Sequence, residues 1–82
     1  MNKPTTAQRV IAALSAPSGI PAEQIKPEHT LAGDLRLDSI DTLEAILAVE
    51  EACGVELPDA EVEFAQTVGD LIALVESKRG AA

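Results

Sequence analysis

The residue best placed for chemistry in this chain is a serine. Ser39 follows Asp38 directly and precedes Asp41 and Glu44, so one hydroxyl lies within about a helical turn of three carboxylates. A serine that activates itself needs a base in reach. The chain holds one histidine, His29, and no G-x-S-x-G elbow, so no catalytic triad is available and Ser39 is a poor candidate for a self-activated nucleophile. A serine modified by another enzyme needs no such neighbours. Taken alone, a Ser beside an Asp at a helix start is ordinarily a cap. Cys53 is the only cysteine; with His29 as its only possible companion it makes neither a disulfide nor a zinc cluster, and it reads as a small buried hydrophobe. Asp34 to Glu44 lacks the alternating oxygen ligands and central glycine of a calcium loop, so no metal is expected.

The elements that must position Ser39 follow from periodicity and punctuation. Thr5 and Gln8 fit a capping box, and Ala7, Val10, Ile11 and Leu14 then recur at i, i+3, i+4, i+7, a helix over about 5–16 that Pro17 should end. A second helix over 39–53 should be capped by Asp38 or Ser39 and stopped by Gly54. Pro58 and Asp59 open a short third helix over 59–65. Thr67 with Asp70 opens a fourth over 67–79, where Val68, Leu71, Ile72 and Val75 repeat the stripe, Lys78 and Arg79 suit the negative end, and Gly80 stops it. The expected fold is all-α: a small four-helix bundle, three longer helices and one short, with a long first loop pinned by Ile20, Ile25, Leu31 and Leu35. At 82 residues it is a single domain, 1–82.

Charge narrows the partners. From Asp34 to Glu63 there are ten acids against Arg36 alone, while the rest of the chain is about neutral; the whole carries a net charge of −8. That balance excludes nucleic acid and favours a basic protein surface. No apolar run approaches the roughly 20 residues needed to cross a bilayer, and Met1 to Val10 has no signal-like apolar region, so a cytoplasmic protein is expected. In the second helix Ala45, Ile46, Val49, Ala52 and Cys53 can share a core-facing side. Ile40, Leu43 and Leu47 form a second apolar stripe among Asp41, Glu44, Glu50 and Glu51, the anatomy of a docking patch with an apolar centre and a charged rim.

The run Asp34-Leu35-Arg36-Leu37-Asp38-Ser39-Ile40-Asp41-Thr42-Leu43-Glu44 resembles the D-L-G-x-D-S-L-D-x-x-E segment of acyl carrier proteins. Ala48-Val49-Glu50-Glu51, Val55-Glu56-Leu57-Pro58-Asp59 and Thr67-Val68-Gly69-Asp70-Leu71 follow at that family's spacing, so the likeness spans about Ile20 to Val75. It implies that Ser39, next to Asp38, receives 4′-phosphopantetheine from coenzyme A through a separate holo-synthase, a phosphopantetheinyl transferase. The cargo then rides on the arm as a thioester. The resemblance further implies that Asp38, Asp41, Glu44, Glu50 and Glu51 meet basic surfaces of acyl-loading and acyl-using enzymes in fatty-acid, lipid or specialised-metabolite biosynthesis, with Ile40, Leu43 and Leu47 as the apolar part. A monomer fits such a shuttle. An acyl chain is expected to fold back between the second and third helices, beside Ile46, Cys53, Val62 and Ala65, because an aliphatic core with Phe64 as its only ring yields readily.

Three positions depart from the family pattern. Arg36 replaces its usual Gly, Cys53 stands where a large apolar residue is common, and Phe64 falls where a polar one is frequent. These favour a specialised carrier, with Arg36 part of the partner surface. An aminoacyl or peptidyl carrier is the near alternative, although Leu37-Asp38-Ser39 lacks the Gly-Gly usual there. An acidic interaction module that carries no group is the alternative from another class.

Overall fold

A computed structural model describes residues 4–80; the ends of the expected domain, 1–3 and 81–82, lie outside the described residues. The chain forms four α-helices, α1 Thr6–Ser18, α2 Ser39–Cys53, α3 Asp59–Val62 and α4 Val68–Gly80, with a 3-10 turn at Ala22–Gln24 in the long first loop. The all-α bundle of three longer helices and one short one is as the sequence predicts. Among the described residues no strand forms, only an isolated bridge between Thr30 and Thr67.

Each helix starts where its capping residues dictate. The Thr5 hydroxyl accepts the Gln8 N–H at 3.1 Å and the Gln8 side chain accepts the Thr5 N–H at 2.7 Å, a complete capping box. Thr67 and Asp70 build a second at α4: the Thr67 hydroxyl accepts the Asp70 N–H, and the Asp70 carboxylate accepts the N–H groups of Gln66 and Thr67. Five backbone N–H groups are thereby satisfied where a helix leaves donors unpaired.

The helix ends differ from expectation in instructive ways. Pro17 lies inside α1 rather than beyond it. It falls in the last turn, where its missing N–H forfeits only one bond, so it does not break the helix there. The terminator is Gly19, in the left-handed region at φ 72°, whose N–H bonds the Ser15 carbonyl at 2.9 Å. The α-helical part of α3 stops at Val62, and tighter bonds from Phe64 to Glu61 and from Ala65 to Val62 carry the chain to Ala65. α4 begins one residue after the expected Thr67, which serves as its cap, and it includes Gly80.

The core is aliphatic. Val10 and Leu14 of α1 meet Ala45, Ile46, Val49 and Cys53 of α2 and Val68, Leu71, Ile72 and Val75 of α4. Ala52 does not join them: it is exposed, and its carbonyl accepts Arg9 Nη1 at 3.3 Å. The long loop is fixed by side chains and backbone together. Ile25, Leu31, Leu35 and Leu37 are buried and Ile20 is half-buried. Leu31 N–H bonds the Gln66 carbonyl, Val68 N–H that of His29, and Gly69 N–H that of Pro27. The loop is thus bolted to the start of α4. Gly69 permits the approach, because a Cβ there would meet the Pro27 carbonyl oxygen at 3.2 Å.

Candidate functional site

Ser39 is the first residue of α2, held there from both sides. Leu37 is buried and anchors the incoming chain, with its N–H bonded to the Leu31 carbonyl at 3.1 Å. Asp38, extended at φ −82°, is the cap, and its carboxylate accepts the Asp41 N–H at 2.8 Å. Ser39 is left exposed, and neither its N–H nor that of Ile40 finds an acceptor among the described residues. An exposed hydroxyl therefore stands beside two free donors at the positive end of a helix dipole.

Beside Ser39 opens an apolar cleft in two parts. One, of about 280 Å³, is lined by Ser39, Thr42, Leu43, Ile46, Asp59, Val62 and Glu63. The other, of about 360 Å³, is lined by Thr30, Leu31, Ala32, Thr42, Val62, Ala65 and Gln66. Thr42 and Val62 line both. Three of the four expected pocket residues, Ile46, Val62 and Ala65, are in these walls; Cys53 is not. It shares the face of Ile46, but seven residues further on it lies about 10 Å along the axis, buried near Arg79 and Arg9. Burial pushes its thiol up, and the two guanidinium groups pull it the other way only in part. Cys53 is therefore a protonated core residue at neutral pH.

The second stripe of α2 faces solvent. Ile40, Leu43 and Leu47 are 69, 57 and 54 % exposed. Full burial of each such side chain is worth roughly 1.5–3 kcal/mol, so the fold forgoes much of that stabilisation along one face. Asp38, Glu44 and Glu51 are exposed around them and Asp41 is half-buried. Glu50 differs from the other acids. It is half-buried, and its carboxylate accepts the Leu57 N–H at 2.8 Å, tying α2 to the connection that leads into α3. Sequence spacing placed it on the rim without showing this bond; the seven-residue reach across Gly54, at φ 65°, is visible only in three dimensions.

Arg36 is exposed and is the one non-glycine described residue with positive φ, at 55°. Among the described residues it forms no ion pair; the bridge that does form joins Lys78 and Glu61 at 2.7 Å. Its nearest acids in sequence are engaged: the Asp34 carboxylate accepts the Thr30 N–H at 2.9 Å, and that of Asp38 caps α2. His29 lies in a turn where Nδ1 accepts the Lys26 N–H. No group of three or more His, Cys, Asp or Glu suited to a metal occurs among the described residues, and no described helix is long and apolar enough to cross a membrane.

These features coincide with what known proteins show. A family model described as "Phosphopantetheine attachment site" matches residues 8–75. The chain is 34 % identical over 80 residues to an acyl carrier protein of Prochlorococcus marinus (strain MIT 9515), covering 98 % of this chain and 100 % of that one. It is 37 % identical over 78 residues to an acyl carrier protein of Thermosynechococcus vestitus (strain NIES-2133 / IAM M-273 / BP-1), covering 95 % and 96 %. The chain belongs to the acyl carrier protein family, whose prosthetic group is 4′-phosphopantetheine.

Proposed function

We propose that Ser39 carries the phosphopantetheine arm and that the protein delivers acyl groups, held on it, to separate enzymes. The observation that carries this reading is the placement of one exposed serine at the N-terminus of α2 and at the mouth of an apolar cleft. The residues present fit the group. Its phosphodiester would sit by the free N–H groups of Ser39 and Ile40, which favour negative charge, and the neighbouring side chains leave the hydroxyl open. When bound, the group supplies a terminal thiol that holds acyl cargo as a thioester. Asp38 keeps the first turn of α2 formed, and Ile46, Val62 and Ala65 wall a space that takes an aliphatic chain and excludes water from it.

The exposed Ile40, Leu43 and Leu47, ringed by Asp38, Asp41, Glu44 and Glu51, form the docking surface for a phosphopantetheinyl transferase and for acyl-loading and acyl-using enzymes with basic surfaces. Glu50 supports that surface by holding the α2–α3 connection rather than by free charge. Rim carboxylates steer encounter and are screened by salt, which suits brief visits to many partners. Arg36, unpaired beside this surface, repels a generic basic partner and selects one that offers a carboxylate; it points to a specialised pathway. The protein acts as a cytoplasmic monomer and catalyses nothing itself.

Wild type and Ser39→Ala are incubated with coenzyme A, magnesium and a phosphopantetheinyl transferase, and intact mass is measured. Wild type gains one phosphopantetheine and Ser39→Ala gains none while keeping its helical circular dichroism. Loading of the variant would overturn the reading.

A further inference from the structure

We propose that the face where α3 meets α4, centred on Phe64 and Leu74, is a second docking surface, separate from the α2 face, for a protein segment presenting an apolar side chain flanked by lysine or arginine. Phe64 is 83 % exposed, the most exposed large hydrophobic residue described and the only aromatic ring in the chain. The tight bonds that end α3 explain its direction. In such a turn residues three apart lie nearly in line, so Val62 and Ala65 share the side that lines the cleft near Ser39, while Glu61 and Phe64 share another. Behind Phe64 lies a groove of about 330 Å³ walled by Glu61, Ala65, Asp70, Ala73 and Leu74. A partner seated there would leave Ser39 and the α2 face uncovered.

Charge names the occupant. Two carboxylates, Glu61 and Asp70, border the groove, and Lys78 reaches only Glu61. Asp70 is fully exposed and held ionised by the Gln66 and Thr67 N–H groups it accepts. Anionic lipid would be repelled. So would a second copy, because a two-fold contact through this groove would set the same acids against each other in a chain of net charge −8. An apolar side chain with cationic neighbours satisfies both the ring and its rim. The proposal does not depend on Ser39 carrying the arm.

The test follows amide shifts of the full-length 15N-labelled protein during titration with an amphipathic leucine–lysine helical peptide. A leucine–glutamate peptide and phosphatidylglycerol vesicles are run beside it, with sedimentation of the protein alone. The expected result is a saturable set of shifts across Glu61, Phe64, Ala73 and Leu74 with the lysine peptide only. Phe64→Ser weakens that binding about tenfold, as loss of an aromatic anchor does, and Glu61→Lys weakens it too, while Leu47→Ser leaves it in place. Phe64→Ser keeps the helical circular dichroism of wild type, which confirms an intact fold. Shifts confined to the Ile40, Leu43 and Leu47 face, equal binding of the glutamate peptide, Phe64-dependent binding to vesicles or Phe64-dependent self-association would each overturn the proposal.

Discussion

The Asp38 carboxylate accepts the Asp41 N–H at 2.8 Å, closing the cap over the first turn of α2, whose first residue is Ser39. The same aspartate that lies beside the serine in the sequence is thus the one that shapes the helix end presenting it.

Asp38→Ala should lower stability by about 1 kcal/mol, the usual worth of an N-cap, and should slow loading because the first turn of α2 frays. Asp38→Asn, which keeps an acceptor oxygen, should restore most of the stability. Thermal unfolding of the two variants checks this; equal loss in both would mean that the charge rather than the cap matters.

Glu50→Ala should destabilise by about 1–2 kcal/mol by leaving the Leu57 N–H without its partner, whereas Glu51→Ala, on the exposed rim, should stay within about 0.5 kcal/mol of wild type. Hydrogen exchange reads the difference directly. The Leu57 amide should exchange faster in Glu50→Ala and not in Glu51→Ala.

Arg36 combines an awkward backbone with an unpaired charge, and two substitutions separate them. A side chain in the left-handed region costs roughly 1–2 kcal/mol. Glycine removes that cost but loses about 0.5–1 kcal/mol through the freedom of the unfolded chain, leaving a net gain of about 0.5 kcal/mol for Arg36→Gly and none for Arg36→Ala. Loading by a transferase with a basic surface should accelerate several-fold in both, since both remove the cation. A gain in rate with glycine alone would assign the effect to the backbone.

The hydrogen bonds from Gln66, Thr67 and the Thr67 hydroxyl hold the Asp70 carboxyl below the ordinary aspartate range. A carboxylate whose pKa is lower folded than unfolded contributes stability that is present above the unfolded value and disappears as pH falls through the folded one. The α4 cap should therefore weaken below about pH 4 and not before. Asp70→Asn should show a smaller fall in melting temperature between pH 5 and pH 2 than wild type, at the expense of some stability at pH 7.

The features legible in the sequence were those set by neighbours along the chain. Thr5 with Gln8 declared a capping box, Thr67 with Asp70 the opening of α4, Gly54 its helix end, and Ile40, Leu43 and Leu47 their separate stripe, because helical periodicity alone decides which residues share a face. Pro17 misled because its effect depends on how many bonds lie beyond it, and Gly19 takes over two residues later. Cys53 misled because periodicity gives angle around a helix, not which neighbour waits at that height. The bonds from Glu50 to Leu57, from Leu31 to Gln66 and from Gly69 to Pro27 join segments whose meeting no local pattern announces.

Peptide mapping locates the arm directly and so tests whether it sits on Ser39. Protein loaded with phosphopantetheine is digested, and the modified fragment is sequenced by tandem mass spectrometry. Ser15 donates to the Ile20 carbonyl, Ser18 to that of Leu14 and Ser77 to that of Leu74, so among the described residues only Ser39 offers an unengaged serine hydroxyl at a helix N-terminus beside an apolar cleft. Modification is expected on the fragment containing Ser39 and on no other. Phosphopantetheine found on Ser15, Ser18 or Ser77, or a protein that stays unmodified with an active transferase, would contradict it.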